Sequence, residues 1–123
     1  MTLVAIALGG ALGSVLRYGL ALQVHQWLGR GFPYGTLAVN VSGCLAIGLL
    51  YVLLTERYAV APEWRAALLI GVLGGFTTFS TFSLETLALV DGREYGKALA
   101  NIMLSLVLCL LATWLGLALG RRL

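Results

Sequence analysis

Gly71-Val72-Leu73-Gly74-Gly75-Phe76-Thr77-Thr78-Phe79-Ser80-Thr81-Phe82-Ser83 sits in the middle of the third apolar segment of the chain and resists reading as ordinary helix. Its three glycines lower helix propensity, and β-branched Thr77 and Thr78 lower it further. From Thr77 to Ser83 every residue is a hydroxyl or a phenylalanine. In a bilayer, backbone that leaves the helix is tolerated only where protein or a water-filled cavity satisfies its freed polar groups. The stretch therefore predicts a break near the middle of a membrane-spanning helix, and a site at that break.

The composition supports the membrane reading. The chain has 123 residues, 60% hydrophobic and only 11% charged, with a mean hydropathy of +0.97. A soluble domain of this size is far less apolar. The connecting segments are too short to fold alone, which leaves no room for a separate soluble domain. The formal net charge of +3 comes mostly from short loops and the C-terminus. Contact with anionic headgroups accounts for it, and a nucleic-acid partner is not needed. Cys44 and Cys109 lie inside apolar segments, where a free thiol behaves as a small hydrophobe, so neither implies a disulfide.

The pattern divides into four spans, at about 2–28, 35–55, 64–90 and 95–119, in a single all-α transmembrane domain. Each is long enough for a bilayer, which needs roughly 20 apolar residues. The first lacks a basic leader and is longer than a signal peptide, so it is read as retained. It carries Gly9 and Gly13, with Gly10 and Ser14 beside them, as a face for close helix packing. Arg17 follows one turn later. An intramembrane Arg needs a partner, and Glu85 is the only acid outside the loops, so a structural Arg17–Glu85 ion pair is expected. His25 has no second ligand at metal-binding spacing and reads as an interfacial residue.

The second span is apolar apart from Thr36, Asn40, Ser42 and Thr55. A buried amide must find partners, so Asn40 either donates its NH2 to an anion or holds another helix by a hydrogen bond. In the third span, Pro62 opens a helix just before Glu63. Phe79 and Phe82 fall on one helical face. A phenyl ring has a positive edge, so ring edges among the hydroxyls of Ser80, Thr81 and Ser83 can attract an anion without a fixed charge. Unwound carbonyls at Gly74 to Thr78 could conversely hold a cation. The fourth span places Asn101, Ser105, Cys109 and Thr113 every four residues, a polar ladder along one face.

Four spans put Arg57, Arg65, Arg121 and Arg122 on one membrane side and Arg30, Arg93 and Lys97 on the other. Orientation is set by an excess of basic residues, and four against three is almost none. The expectation is insertion both ways, with two antiparallel copies forming a dual-topology homodimer. A two-fold axis in the membrane plane would then bring two breaks together.

Three motifs, Gly-Gly-Phe-Thr-Thr-Phe-Ser-Thr-Phe-Ser at 74–83, Gly-Thr-Leu-Ala-Val-Asn-Val-Ser-Gly at 35–43 and Gly-Gly-Ala-Leu-Gly-Ser-Val-Leu-Arg-Tyr at 9–18, resemble the Fluc/CrcB fluoride channels. The resemblance covers essentially the whole chain. It implies a passive, fluoride-selective channel of the bacterial plasma or inner membrane that exports fluoride to lower its toxicity, with two pores per antiparallel dimer and a structural sodium ion at the dimer centre. By position in the motif, Gly74 and Thr77 would offer carbonyls to the sodium. Phe79 and Phe82 would be the ring-edge residues and Asn40 the amide facing them. Ser80 and Thr81 lie in the break, and Ser105 on the polar track. Asn101 and Cys109 depart from the pattern.

Two other classes share the length and charge pattern. A small multidrug-resistance-like, proton-coupled exporter needs an embedded carboxylate, for which Glu85 is the only candidate. A non-transporting membrane assembly subunit would need the small-residue faces but not the Asn40, phenylalanine and hydroxyl set. No nucleophile, base, metal cluster or nucleotide motif points to an enzyme or a pump.

Overall fold

The computed structural model describes residues 1–123 and is helical almost throughout. Four helical stretches are long and apolar enough to cross a membrane: Thr2–Leu28, Tyr34–Arg57, Pro62–Asp91 and Tyr95–Arg122. The first is the single helix α1 (Thr2–Leu28). The second is α2 (Tyr34–Tyr51), continued by wider π-helical turns over Val52–Arg57. The third is made of α3 (Pro62–Arg65), π-helical turns over Ala66–Val72, α4 (Leu73–Phe76) and α5 (Phe79–Asp91). The fourth is α6 (Tyr95–Arg122).

Local chemistry places the ends. Pro62 occupies the first turn of α3, where its missing N–H removes no helical bond. Thr78 caps α5, its hydroxyl accepting from the Thr81 N–H. After Asp91, Gly92 and Arg93 reverse the chain, with Arg93 in the left-handed region at φ 58.

Only 20 of the 123 residues are buried, so an apolar core does not hold the helices together. Large apolar side chains such as Leu3, Leu84, Leu110 and Trp114 point outward instead, as expected where lipid is the solvent. Association rests on close backbone approach. A Cβ on Gly13 would lie 2.0 Å from the Val72 carbonyl oxygen, so α1 seats its glycine face against the first half of the third span. A Cβ on Gly48 would lie 2.3 Å from the Thr113 carbonyl, and one on Gly116 2.3 Å from the Leu45 carbonyl. The second and fourth spans thus run side by side in the same direction, backbone to backbone.

Candidate functional site

The third span is interrupted where its glycines give way to threonines. Thr77 (φ −82, ψ 156) and Thr78 (φ −152, ψ 116) are extended between α4 and α5. Such residues cannot continue the helical ladder, so their peptide groups need other partners. The Thr78 N–H would close onto the Gly74 carbonyl in an unbroken helix. Instead it donates to Asn40 Oδ1 at 2.8 Å, and Asn40 Nδ2 donates back to the Thr78 carbonyl at 2.9 Å. The pair fixes which end of the carboxamide is which and leaves the amide one further N–H.

Thr77 turns inward on itself. Its N–H and its hydroxyl both donate to the Leu73 carbonyl, at 3.0 and 2.9 Å. The Thr77 carbonyl accepts no backbone hydrogen bond, and the Gly74 carbonyl has lost the donor that a continuous helix would supply. Gly43 on α2 makes room for this arrangement: a Cβ there would stand 2.3 Å from Thr77 Cγ2 and 3.2 Å from Phe76 Cδ1.

Beside the break lies an open groove of about 340 Å³ between α2, the third span and α6. It gathers Asn40, Gly74, Thr77, Phe79, Phe82 and Ser105. None of its 15 lining residues is charged. Anything recognised there is recognised by amide and hydroxyl donors, ring edges and free carbonyls. The Phe79 and Phe82 rings are 5.4 Å apart at 49°, a tilted pair that turns edge and face to different sides. Phe79 is 74% exposed in the single chain.

Ser105 is buried against the groove. Hydroxyls in membrane helices commonly bond back one turn, as Ser42, Thr55 and Thr86 do to Ala38, Tyr51 and Phe82. No such bond engages Ser105, so its proton is available to the groove. The ladder on α6 is not uniform, however. Asn101 is only 2% exposed and spends its amide on Thr86 Oγ1 at 2.9 Å, tying α6 to α5. Cys109 lines the groove and Asn101 does not.

Ser80 and Thr81 are exposed and lie outside the groove. Their hydroxyls stand 3.3 and 3.1 Å from Thr78 Oγ1, in the network that caps α5. The expected Arg17–Glu85 ion pair does not form within the chain: the ion pairs are Lys97–Glu94 and Arg121–Glu56. The reason is topological. α1 packs on the first half of the third span, whereas Glu85 lies beyond the break on α5, where its carboxylate accepts from Thr36 Oγ1. Glu85 borders a second, polar pocket with His25, Arg30 and Glu94. His25 itself lies 3.3 Å from the Gly29 carbonyl through Nδ1, at the end of α1.

Two residues gain importance that the linear reading underweighted. Thr78 is the hub of the break, hydrogen-bonded to Asn40, Ser80 and Thr81. A hydroxyl immediately before a helical run is a capping signal that could have singled it out. Cys44 lines the groove one turn after Asn40, and the i, i+4 spacing from Asn40 already carried that placement.

Comparison with known proteins gives the family. The family described as CrcB-like protein, Camphor Resistance (CrcB), matches residues 4–117. A protein of Methylococcus capsulatus named fluoride-specific ion channel FluC is 54% identical over 123 residues, all of this chain and 54% of that protein. The chain therefore spans about half the length of that relative. Proteins of the same name from Magnetococcus marinus and Geobacter metallireducens are each 50% identical, over 98% and 99% of their own lengths. With four membrane-spanning helices and a family match over nearly all of its length, the chain belongs to the CrcB family of multi-pass membrane proteins.

Proposed function

We propose that this chain forms a passive, fluoride-selective channel in a bacterial membrane. The observation that carries the reading is the position of Asn40. Its amide satisfies both peptide groups of Thr78 and still has a donor to offer, in a groove where the Phe79 and Phe82 rings and the Ser105 hydroxyl also converge. Fluoride is small, strongly hydrated and a strong hydrogen-bond acceptor. To leave water it needs donors and positive ring edges at close quarters, and a fixed cation would hold it too tightly to pass. Chloride, larger and less dependent on donors, gains less from the same set.

The pathway is completed by a second, antiparallel copy. The near-equal distribution of basic residues permits insertion in both orientations. Phe79 and Gly74 are exposed at the break in one subunit, where a two-fold mate would cover them. Each subunit then contributes to two fluoride paths. The exporter reading is weakened by the placement of Glu85, which lies outside the groove and is engaged by Thr36. Ser80 and Thr81 support the site through the Thr78 cap.

The donor set at the break suits a sodium ion. A hard monovalent cation binds oxygen donors, and the carbonyls of Gly74 and Thr77 are among those the break releases from the helical ladder. Two subunits would offer two such pairs. A sodium ion bound there supplies the positive charge that lets opposed carbonyls face one another at the dimer axis.

Efflux from proteoliposomes loaded with fluoride or chloride tests the function. Fluoride is expected to leave rapidly without a proton gradient while chloride is retained. Similar rates for the two ions, or fluoride release only against a proton gradient, would overturn the proposal.

A further inference from the structure

Cys44 and Cys109 lie on different helices and line the same groove. Their alignment follows from the α2–α6 seam. Gly48 packs on the Thr113 carbonyl where the backbones of these two parallel helices touch. One turn earlier on each helix, Gly48 is replaced by Cys44 and Thr113 by Cys109. The two thiols therefore lie on facing helices of the seam and open onto the same groove, and both are free cysteines. No group of three or more His, Cys, Asp or Glu side chains is present, so a tetrahedral zinc-type site cannot be built around them.

We propose that Cys44 and Cys109 form a dithiol site that takes a soft, two-coordinate divalent cation, of which Hg(II) is the probe, and that occupancy plugs the groove. Soft thiolates select soft cations. Binding requires both thiols to be deprotonated: with mercuric chloride, two S–H and two Hg–Cl bonds break, two S–Hg bonds form, and two protons and two chloride ions leave to water. No electron is transferred. The product is uncharged, because the dication replaces two protons. In a groove without a charged lining residue, the neutral product avoids the penalty that burying a net charge would carry. A singly charged soft cation held by two thiolates would leave a net negative charge and is disfavoured on the same ground. The bound ion would stand beside Ser105 and Leu106, one turn from the Asn40 amide.

The test has two arms, and only the second rests on the channel reading. In the first, the purified full-length protein is treated with mercuric chloride, washed with a monothiol and weighed by intact-mass spectrometry. One mercury per chain, with the loss of two hydrogens, is expected to survive the wash. The single variants Cys44→Ser and Cys109→Ser should lose it at monothiol concentrations on the order of 100-fold lower, since the second thiol acts at high effective concentration. Cys44→Ala and Cys109→Ala serve if the serine variants do not fold. Two mercury ions per chain, or equal retention by the single variants and the parent, would overturn the dithiol site. In the second arm, mercury should block fluoride efflux from proteoliposomes and a dithiol should restore it, with the double variant unaffected by mercury. Undiminished efflux with mercury bound would overturn the plug. Absence of fluoride efflux from the untreated protein would count against the channel reading alone, and the mass measurement would still decide the site.

Discussion

Asn40 and Thr78 are joined by two opposed hydrogen bonds, Nδ2 to the Thr78 carbonyl at 2.9 Å and the Thr78 N–H to Oδ1 at 2.8 Å. One side chain from the second span thus replaces the helical ladder at the point where the third span gives it up. The same carboxamide faces the groove, so maintaining the break and lining the groove fall to one residue.

That relationship predicts a split between two substitutions. Asn40→Ala leaves a donor and an acceptor of Thr78 unpaired, at about 1–3 kcal/mol for each buried group. The thermal midpoint of the purified protein should fall and fluoride efflux should be lost. Asn40→Asp, held as the neutral acid in a groove without charged lining residues, keeps an acceptor for the Thr78 N–H and a donor for the Thr78 carbonyl but has no further donor to offer the groove. It should lose efflux as fully while destabilising less. Normal efflux in Asn40→Asp would show that the amide acts only on the backbone.

Phe79 is largely exposed in the single chain and Phe82 half-buried, so neither ring anchors the fold of one subunit. Replacing either with Ile is expected to abolish fluoride efflux while the protein still purifies at the parent's oligomeric size. Undiminished efflux would assign the rings to packing. Collapse of the oligomer would assign them to the interface.

Thr78→Ala removes the oxygen that accepts from the Thr81 N–H and that lies beside the Ser80 and Thr81 hydroxyls. Loss of an N-cap costs about 1 kcal/mol, and the entry of α5 should loosen. Thr78→Ser keeps the oxygen and should restore the stability. Equal melting temperatures for the two variants would show that the cap contributes nothing measurable.

Gly43→Ala brings a Cβ to 2.3 Å from Thr77 Cγ2, with Phe76 Cδ1 at 3.2 Å. Thr77 is held by two bonds to the Leu73 carbonyl, so it yields only by moving the break. Overpacking of this kind costs about 1–3 kcal/mol. Stability and fluoride efflux should fall together, and a variant equal to the parent in both would show that the break tolerates displacement.

Much of this was written in the linear pattern. Four hydrophobic runs and the scarcity of charge specify four spans, because in lipid the length and apolarity of a segment largely settle whether it crosses. The run of glycine, threonine and phenylalanine between residues 74 and 83 marks where regular helix is disfavoured, because propensity is a local property. The glycine face of α1 was equally legible, since Gly9 and Gly13 are one turn apart and helical spacing maps sequence directly onto a face.

Which groups meet was settled by packing. Asn40 could have faced an anion or another helix. The depth at which α2 lies against the third span gives it Thr78 as a partner and still leaves a donor free. Asn101 and Ser105 look alike in the ladder, yet α5 covers Asn101 and leaves Ser105 open to the groove. Elimination pairs Arg17 with Glu85 but is blind to distance, and the break places Glu85 on α5, away from α1's packing face. Side-chain periodicity is set along one helix, whereas contact depends on how the helices approach, and that approach is governed by glycines such as Gly13, Gly43 and Gly48 that admit a neighbouring span's atoms where a Cβ would stand.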